Sequence, residues 1–243
     1  LKRLELIAPS GLPMVQAGDD LAALILGAGM APRPGDVLVV AQKIVSKAEG
    51  REVALRDVTP SAQAEELAGE TGKDARIVEL ILQESVRVVR ARPNLIIVQH
   101  RLGHTMANAG IDQSNVAQAD GERALLLPLD PDASAAALSA RLGCAVVISD
   151  SFGRAWRRGT VGVAIGCAGL PALVDLRGKP DLFGRELHVT LTGFADEIAA
   201  AAGLLMGQAA EGMPVVILRG LAWSAPPSST AELVRTAQED LFR

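Results

Sequence analysis

The sequence predicts an α/β chain built on a mixed sheet, an α+β arrangement and not a regular doubly wound one. Three observations point there. Strand-like and helix-like segments interleave along the 243 residues. Two continuous apolar runs, Val37–Ala41 and Ala145–Ser149, have the length of strands buried on both faces. The strands expected in the middle of the chain follow one another without helices between them, which a regular parallel order does not allow.

In chain order, Leu4–Ile7 reads as a short strand that runs into the turn-like Ala8-Pro9-Ser10-Gly11. Asp19 is placed to cap a helix from Asp20 to Gly27, where glycines stop it. Gly35-Asp36 turns into the first apolar strand. Ser61–Gly69 and Asp74–Gln83 predict helices, the second with an acid at its start. Val86–Val89 and Leu95–Val98 predict strands separated by Arg-Pro-Asn turn chemistry. Ala124–Leu129 is expected as a strand, and Asp130-Pro131-Asp132 opens a helix to about Leu142. After Ala145–Ser149, Thr160–Cys167 alternates weakly among glycines, Thr192–Gln208 is the longest helical stretch, and Val215–Leu218 is a closing strand. Ser224–Thr230 is linker-like, and Ala231–Arg243 is expected as one short helix. No internal repeat is visible.

Length alone allows one large domain or two small ones and a core that needs no staples. Two cysteines, Cys144 and Cys167, cannot build a disulfide framework or a four-cysteine zinc site, which suits a reducing cytoplasm. Hydrophobic residues make up 49%, yet no apolar stretch reaches the ~18 residues of a membrane span. The first residues, LKRLELIAPSG, lack an apolar signal region, so no signal peptide is expected. The chain holds four Phe, two Trp and no Tyr, with a net charge of −4. Base-stacking platforms need aromatic faces and a basic surface, so nucleic-acid binding is not expected and small molecules are.

Common nucleotide fingerprints are missing: there is no P-loop motif, and Gly162, Gly166 and Gly169 have the wrong spacing for G-x-G-x-x-G. There is no G-x-S-x-G elbow. His100 and His104 sit four apart, the spacing of two metal ligands on one helix face. Gly103 and the strand-like context argue against a helix there, so they read as two solvated loop histidines.

Three segments are more informative. In AQKIVSKAEG at 41–50, a lysine just beyond a buried strand can reach anionic oxygens; the bland alternative is a solvated strand end. In NAGIDQSN at 108–115, Asp112 lies among small and amide residues, a setting that suits a hard cation or equally a plain Asx turn. In VVISDSFGRAWRRG at 146–159, an apolar strand delivers Asp150 and Ser151 at its end, followed by Arg154, Arg157 and Arg158. One acid against three arginines makes residues 150–159 locally +2. A carboxylate and hydroxyl for a divalent metal, beside guanidinium forks for phosphate or carboxylate, suit phosphoryl transfer, the alternative being a solvated basic turn. Gln208 is an uncharged oxygen donor at a helix end, and Asp196 and Glu197 read as helix-start acids.

Taken together, these blocks resemble the GTP-dependent coenzyme F-420-0:L-glutamate ligases, the F-420-0:γ-glutamyl ligase family. The matching blocks are GLPMVQAGDDL at 11–21, GDVLVVAQKIVSKAEG at 35–50, ANAGIDQSNV at 107–116, LLLPLDPDASA at 125–135 and ISDSFGRAWRRG at 148–159. AIGCAGL at 164–170, DLFGREL at 181–187, ADEIAAAAGLLMGQ at 195–208 and VVILRG at 215–220 continue them, so the likeness spans about residues 4–222.

The resemblance implies a two-lobed α/β fold over 1–222 with a tail at 223–243, a homodimer, a cytoplasmic setting, GTP as co-substrate and two divalent cations, Mg²⁺ or Mn²⁺; it leaves room for K⁺. Its substrates would be F-420-0 and L-glutamate. It implies that Leu12, Pro13, Met14 and Val15 line the nucleotide site, with Gln42, Lys47 and Asn115 contacting it. The stretch Met206, Gly207, Gln208, Ala209, Ala210, Glu211, Gly212 and Met213 returns to the nucleotide. Asp112 and Asp150 would hold the first metal, Ser151 and Gln208 the second. Ser151 stands where the family motif usually has Thr, and Gln208 where it often has an acid. Charge and location assign Arg154 and Arg157 as phosphate or carboxylate clamps, and Trp156 is the candidate shelf for the deazaflavin ring.

Overall fold

The computed structural model describes residues 2–114 and 121–240. β1 (Glu5–Ile7) leads into α1 (Leu21–Gly27), β2 (Val37–Ala41), α2 (Gln42–Ala48) and β3 (Glu52–Ala54). Then come α3 (Ala62–Thr71), α4 (Ala75–Gln83), β4 (Ser85–Arg92), β5 (Leu95–His100), β6 (Thr105–Ala107) and β7 (Arg123–Leu125). α5 (Pro131–Leu142), β8 (Ala145–Arg154), β9 (Arg157–Ala168), β10 (Val174–Asp175), β11 (Leu191–Thr192), α6 (Phe194–Met206) and β12 (Val215–Arg219) complete the order.

At the centre lies a five-stranded sheet of order β1-β12-β2-β8-β9, in which β2 and β8 run parallel and the other neighbours antiparallel. Leu38, Val40, Val146, Ile148, Val215 and Ile217 face α1, α2 and α5 on one side. Val37, Val39, Ala145, Val147, Val216 and Leu218 face α6 on the other. Successive residues point to opposite faces, and both faces are covered, which is why these runs are apolar without alternation. The fold is therefore the mixed-sheet α+β class that the sequence predicts.

Parallel neighbours need a crossover, and here residues 42–144 supply it. That crossover has a core of its own, in which Leu55, Ile77, Val78, Ile81, Ile96 and Val98 join α3 and α4 to the sheet β4-β5-β6. Ser61 and Asp130 cap α3 and α5 by accepting from the Ala64 and Ala133 amides, and Gly72 and Gly143 end them in the left-handed conformation.

Two glycines that fit no nucleotide motif have a packing role. A Cβ on Gly162 would collide with the Ala199 carbonyl of α6, and one on Gly166 with the Pro131 backbone of α5. Both helices can approach β9 closely only because these residues have no side chain.

The structure corrects several expected boundaries. Asp20, not Asp19, caps α1, accepting from Ala23 N at 3.0 Å, while Asp19 accepts from Gln16 N at 2.7 Å. The strand expected over Ala124–Leu129 stops at Leu125; Leu126 N bonds to Arg51 O at 3.1 Å instead, and Pro128 has no N–H to continue a ladder. The longest helix begins only after Gly193, because Thr192 belongs to β11, and ends at Met206. In place of a helix from Ala231, the tail forms a single 3-10 turn, Thr230–Leu233, capped by Ser229; residues 241–243 lie outside the described residues. α2 and the short strands β3, β6, β10 and β11 have no counterpart in the sequence reading.

Candidate active site

The parallel pairing of β2 with β8 ends where Ala41 meets Ser149: beyond it β2 turns into α2, while β8 continues along β9 alone and presents Asp150 and Ser151. In open α/β sheets this end of the strands is where ligands collect. Asp150 Oδ1 accepts from Ser151 N at 2.7 Å. Burial pushes the Asp150 carboxyl up to about 7; the charge of Asp112 adds to that, while the Ser151 amide and Lys43 pull the other way.

Asp112 reaches the same place from the crossover. Asn108, Ala109 and Gly110 have φ of 51°, 54° and 66°, so the chain doubles back sharply after β6. Asn108 Oδ1 secures the bend by accepting from Ile96 N at 3.2 Å. At Gly110 a Cβ would lie 2.7 Å from Met106 Cε, so only glycine fits both the backbone and the packing. Asp112 is then pinned to Leu125 by two backbone hydrogen bonds of 3.0 and 2.8 Å.

The Asp112 carboxylate meets two donors. Lys43 Nζ lies 2.6 Å from Oδ2, and Ser114 N donates to Oδ1 at 2.7 Å. The same ammonium donates to Ser114 Oγ at 2.8 Å. Burial opposes ionisation of Asp112, but these donors outweigh it and hold the carboxyl below its ordinary range. Two aspartates that share one lysine therefore titrate in opposite directions.

Of the other expected residues, Gln42 directly follows β2 and Met206 lies beside Ser149. Gln42 is buried at the start of α2 and accepts from Ser46 Oγ at 2.9 Å; Lys47 is buried in its last turn. Leu12 and Val15 pack into the core beside α1 and α2, Pro13 and Met14 are exposed, and Gly18 N donates to Ala48 O at 2.8 Å. Met206 Sδ lies 3.8 Å from Ser149 Oγ, and Pro214 O accepts from Ala41 N at 2.8 Å. Gly207, Gln208, Ala209, Ala210, Glu211, Gly212 and Met213 thus connect the contact at Ser149 to the one at Ala41. Within that loop Glu211 accepts from Ala209 N at 2.8 Å, and backbone amides hold its carboxyl low. Asn115 lies outside the described residues.

Arg154 and Arg157 are elsewhere. They face each other at the tip of the β8–β9 hairpin, closed by Ala155 and by Trp156 at φ 59°, and all four are exposed. Four residues of strand separate Arg154 from Asp150, about 13 Å. Sequence reasoning did not single out Lys43, the cation that does touch the cluster; its signal was the pair of lysines in AQKIVSKAEG, without a way to choose between them.

The histidines are corrected. His100 is fully buried on β5, its Nδ1 accepting from Leu102 N at 3.0 Å and its Nε2 3.4 Å from Glu84 Oε2. Burial pushes His104 down to about 4. Burial also pushes the Cys144 and Cys167 thiols up to about 11 and about 12, so neither is a ready nucleophile. Asp196, read as a helix-start acid, accepts from Ala164 N at 2.9 Å and ties α6 to β9.

Among the described residues no group of three or more His, Cys, Asp or Glu side chains is assembled for a metal. What this end of the sheet offers is two carboxylates beside the Ser151 hydroxyl, hard oxygen donors that leave much of a coordination shell open. Mg²⁺ suits such a set when phosphate oxygens and water complete it. The half-buried Asp150 carboxyl, whose ionised form is disfavoured, is also what a nearby divalent charge would stabilise. No helix among the described residues is long and apolar enough to cross a membrane.

A family model described as F420-0:Gamma-glutamyl ligase matches residues 11–220. A coenzyme F420:L-glutamate ligase of Methanothermobacter thermautotrophicus is 45% identical over 252 residues, covering 99% of this chain and 99% of its own. The protein of that name from Archaeoglobus fulgidus is 44% identical over 247 residues, covering 99% and 97%. That of Methanopyrus kandleri is 45% identical over 239 residues, covering 94% and 93%.

Proposed function

The chain belongs to the F420-0:gamma-glutamyl ligase family, and we propose that it joins L-glutamate to coenzyme F420-0 with GTP as the co-substrate, releasing GDP and phosphate. Further γ-linked glutamates can be added by the same chemistry. The observation that supports this reading best is the convergence of Asp112 and Asp150, from two separate parts of the chain, at the carboxyl ends of the parallel strands.

Amide formation from a carboxylate needs an activated acyl group. The terminal carboxylate of F420-0 attacks the γ-phosphorus of GTP, and the bond to the β–γ bridging oxygen breaks with its electron pair leaving on GDP. The amine of L-glutamate then attacks the acyl carbon, phosphate leaves, and the amine proton goes to solvent. All three reactants are anionic, so the site must offset their repulsion before it can hold them together. Proximity in such a site can contribute roughly 7–11 kcal/mol to lowering the barrier.

Two divalent cations, Mg²⁺ or Mn²⁺, would supply charge neutralisation when bound. Asp112 and Asp150 would hold the first, Ser151 and Gln208 the second. The residues around them divide the remaining work. Leu12–Val15, Gln42, Lys47, Asn115 and Met206–Met213 form the nucleotide cradle, the buried Gln42 and Lys47 lying on the helix that follows β2. Arg154 and Arg157 approach the outer, anionic parts of the substrates, with Trp156 against the deazaflavin ring. The unit is a homodimer, a reading supported by Leu182 and Phe183, which are 100% and 95% exposed between β10 and β11.

The test is phosphate release on mixing GTP, Mg²⁺, F420-0 and L-glutamate, with the product followed by mass. Release should need all the components, and the product should gain one glutamyl unit. A rate unchanged when F420-0 or glutamate is omitted would overturn the reading.

A further inference from the structure

The carboxylate assigned to the first metal is already holding a cation. Lys43 Nζ lies 2.6 Å from Asp112 Oδ2 and 2.8 Å from Ser114 Oγ, so its ammonium fills the space in front of Asp112. Lys43 and Asp112 side chains are each 30% exposed, so the pair is accessible and able to open. A divalent ion approaching that oxygen must displace the ammonium, because two like charges at contact distance repel strongly wherever water is thinned.

The surroundings of Asp112 also favour the displacement. The described residues bring only two carboxylates here, with no third His, Cys, Asp or Glu. A divalent ion therefore gains little from the protein alone and much from phosphate oxygens. Those same oxygens attract an ammonium. Lys43 stands in the first turn of α2, directly after β2, on a flexible four-carbon stem that can carry its charge from one anion to another.

We propose that Lys43 is a positioning residue that couples metal binding to nucleotide binding. In the free protein it occupies Asp112 and keeps the first metal position closed. When the nucleotide phosphates arrive they draw the ammonium away, and the divalent ion takes its place on Asp112. The exchange leaves no charge unpaired: one ammonium–carboxylate contact gives way to an ammonium–phosphate and a metal–carboxylate contact. Metal and nucleotide then bind with positive cooperativity, and by linkage each strengthens the other equally. This inference rests on the metal–nucleotide reading above.

The test measures Mn²⁺ binding by the loss of its free EPR signal, and binding of a fluorescent GDP with and without Mn²⁺, in the full chain. Nucleotide-free Lys43→Met should bind Mn²⁺ at least about tenfold more tightly than the unaltered protein, within the range of typical coupling. Mn²⁺ should strengthen GDP binding markedly in the unaltered protein and much less in the variant. Lys43→Gln, which keeps a polar side chain but no charge, should behave like Lys43→Met, and Lys43→Arg like the unaltered protein. If Lys43→Met and Lys43→Gln bind nucleotide-free Mn²⁺ no more tightly, the coupling is wrong while the ligase reading stands. If the unaltered protein binds no Mn²⁺ even with GDP present, the metal reading itself fails, and the coupling with it.

Discussion

The two halves of β8 place charge in opposite ways. At Asp150 the strand leaves the core, and its carboxyl is half-buried, bonded to Ser151 and within the field of Asp112 and Lys43. About 13 Å further along, the hairpin tip exposes Arg154, Trp156 and Arg157 to solvent. The tip is the more conspicuous in the sequence, with three arginines in five residues; the strand end is the more perturbed in the structure. Burial, not charge density, is what shifts a carboxyl to about 7, because removing water penalises the ionised form directly. On the proposed reading the chemistry belongs to the inner end, and the outer one has a supporting, screened role.

The strongest way to break that assignment is to neutralise the inner carboxylates. Asp150→Asn and Asp112→Asn should each lower kcat at least about a thousandfold, the upper range for removing one preorganised charge-stabilising group. Circular dichroism and melting should show both variants folded, since Asn keeps the volume and accepts from Ser151 N or Ser114 N. Near-normal turnover in either variant would move the chemistry away from this end of the sheet.

A second experiment separates burial from function. Glu84, in the crossover core, lies 3.0 Å from Arg51, 3.1 Å from Arg101 and 3.4 Å from His100. Burial alone would raise its carboxyl, but His100, Arg51 and Arg101 pull it down to about 2. With the folded value below the unfolded one of about 4.5, the stabilisation is complete above pH 4.5 and fades as the pH falls towards 2. Glu84→Gln should cost about 2 kcal/mol at pH 6, less than the ~3–5 of a fully buried pair because the rim of this cluster is wet. The loss should shrink at pH 3 and leave kcat unchanged when thermal melts and turnover are compared. A large fall in kcat would extend the functional site into the crossover core and undo the separation.

How far the sequence revealed these regions follows from what each signal measures. The apolar runs at Val37–Ala41 and Ala145–Ser149 were legible because a strand covered on both faces has no polar positions to interrupt it. α2 was not, since Ile44 and Val45 continue the apolar character of β2 with no cap between them: Ala41, its N-cap, makes no side-chain bond. Strands of two or three residues are shorter than any period that could announce them. Asp112 and Asp150 could be read from their settings, an amide-rich bend and a strand end. The choice of Lys43 over Lys47 needed the helix, because four residues are about one turn and only one of the two lies within reach of Asp112. His100 was misread although its signal was present: Ile96, Val98 and His100 fall on the same face of β5, and that face is buried.

The smallest effects belong to the hairpin tip, and their pattern sharpens the comparison most. An exposed guanidinium meets a substrate anion through water and salt, where a single ion pair contributes only ~0.2–1 kcal/mol. Arg154→Gln and Arg157→Gln should therefore each raise KM for F420-0 a few-fold, leave kcat within about twofold, and lose even that difference in high salt. Trp156, 81% exposed, offers a flat face whose stacking would not be screened in the same way. Trp156→Ala should raise KM for F420-0 by a similar small factor that persists in high salt, with KM for GTP unchanged. Steady-state kinetics at low and high ionic strength distinguish the two. If instead either arginine variant lowered kcat a hundredfold, the tip would have to fold inward to touch the reacting phosphate, and the hairpin would be part of the catalytic site after all.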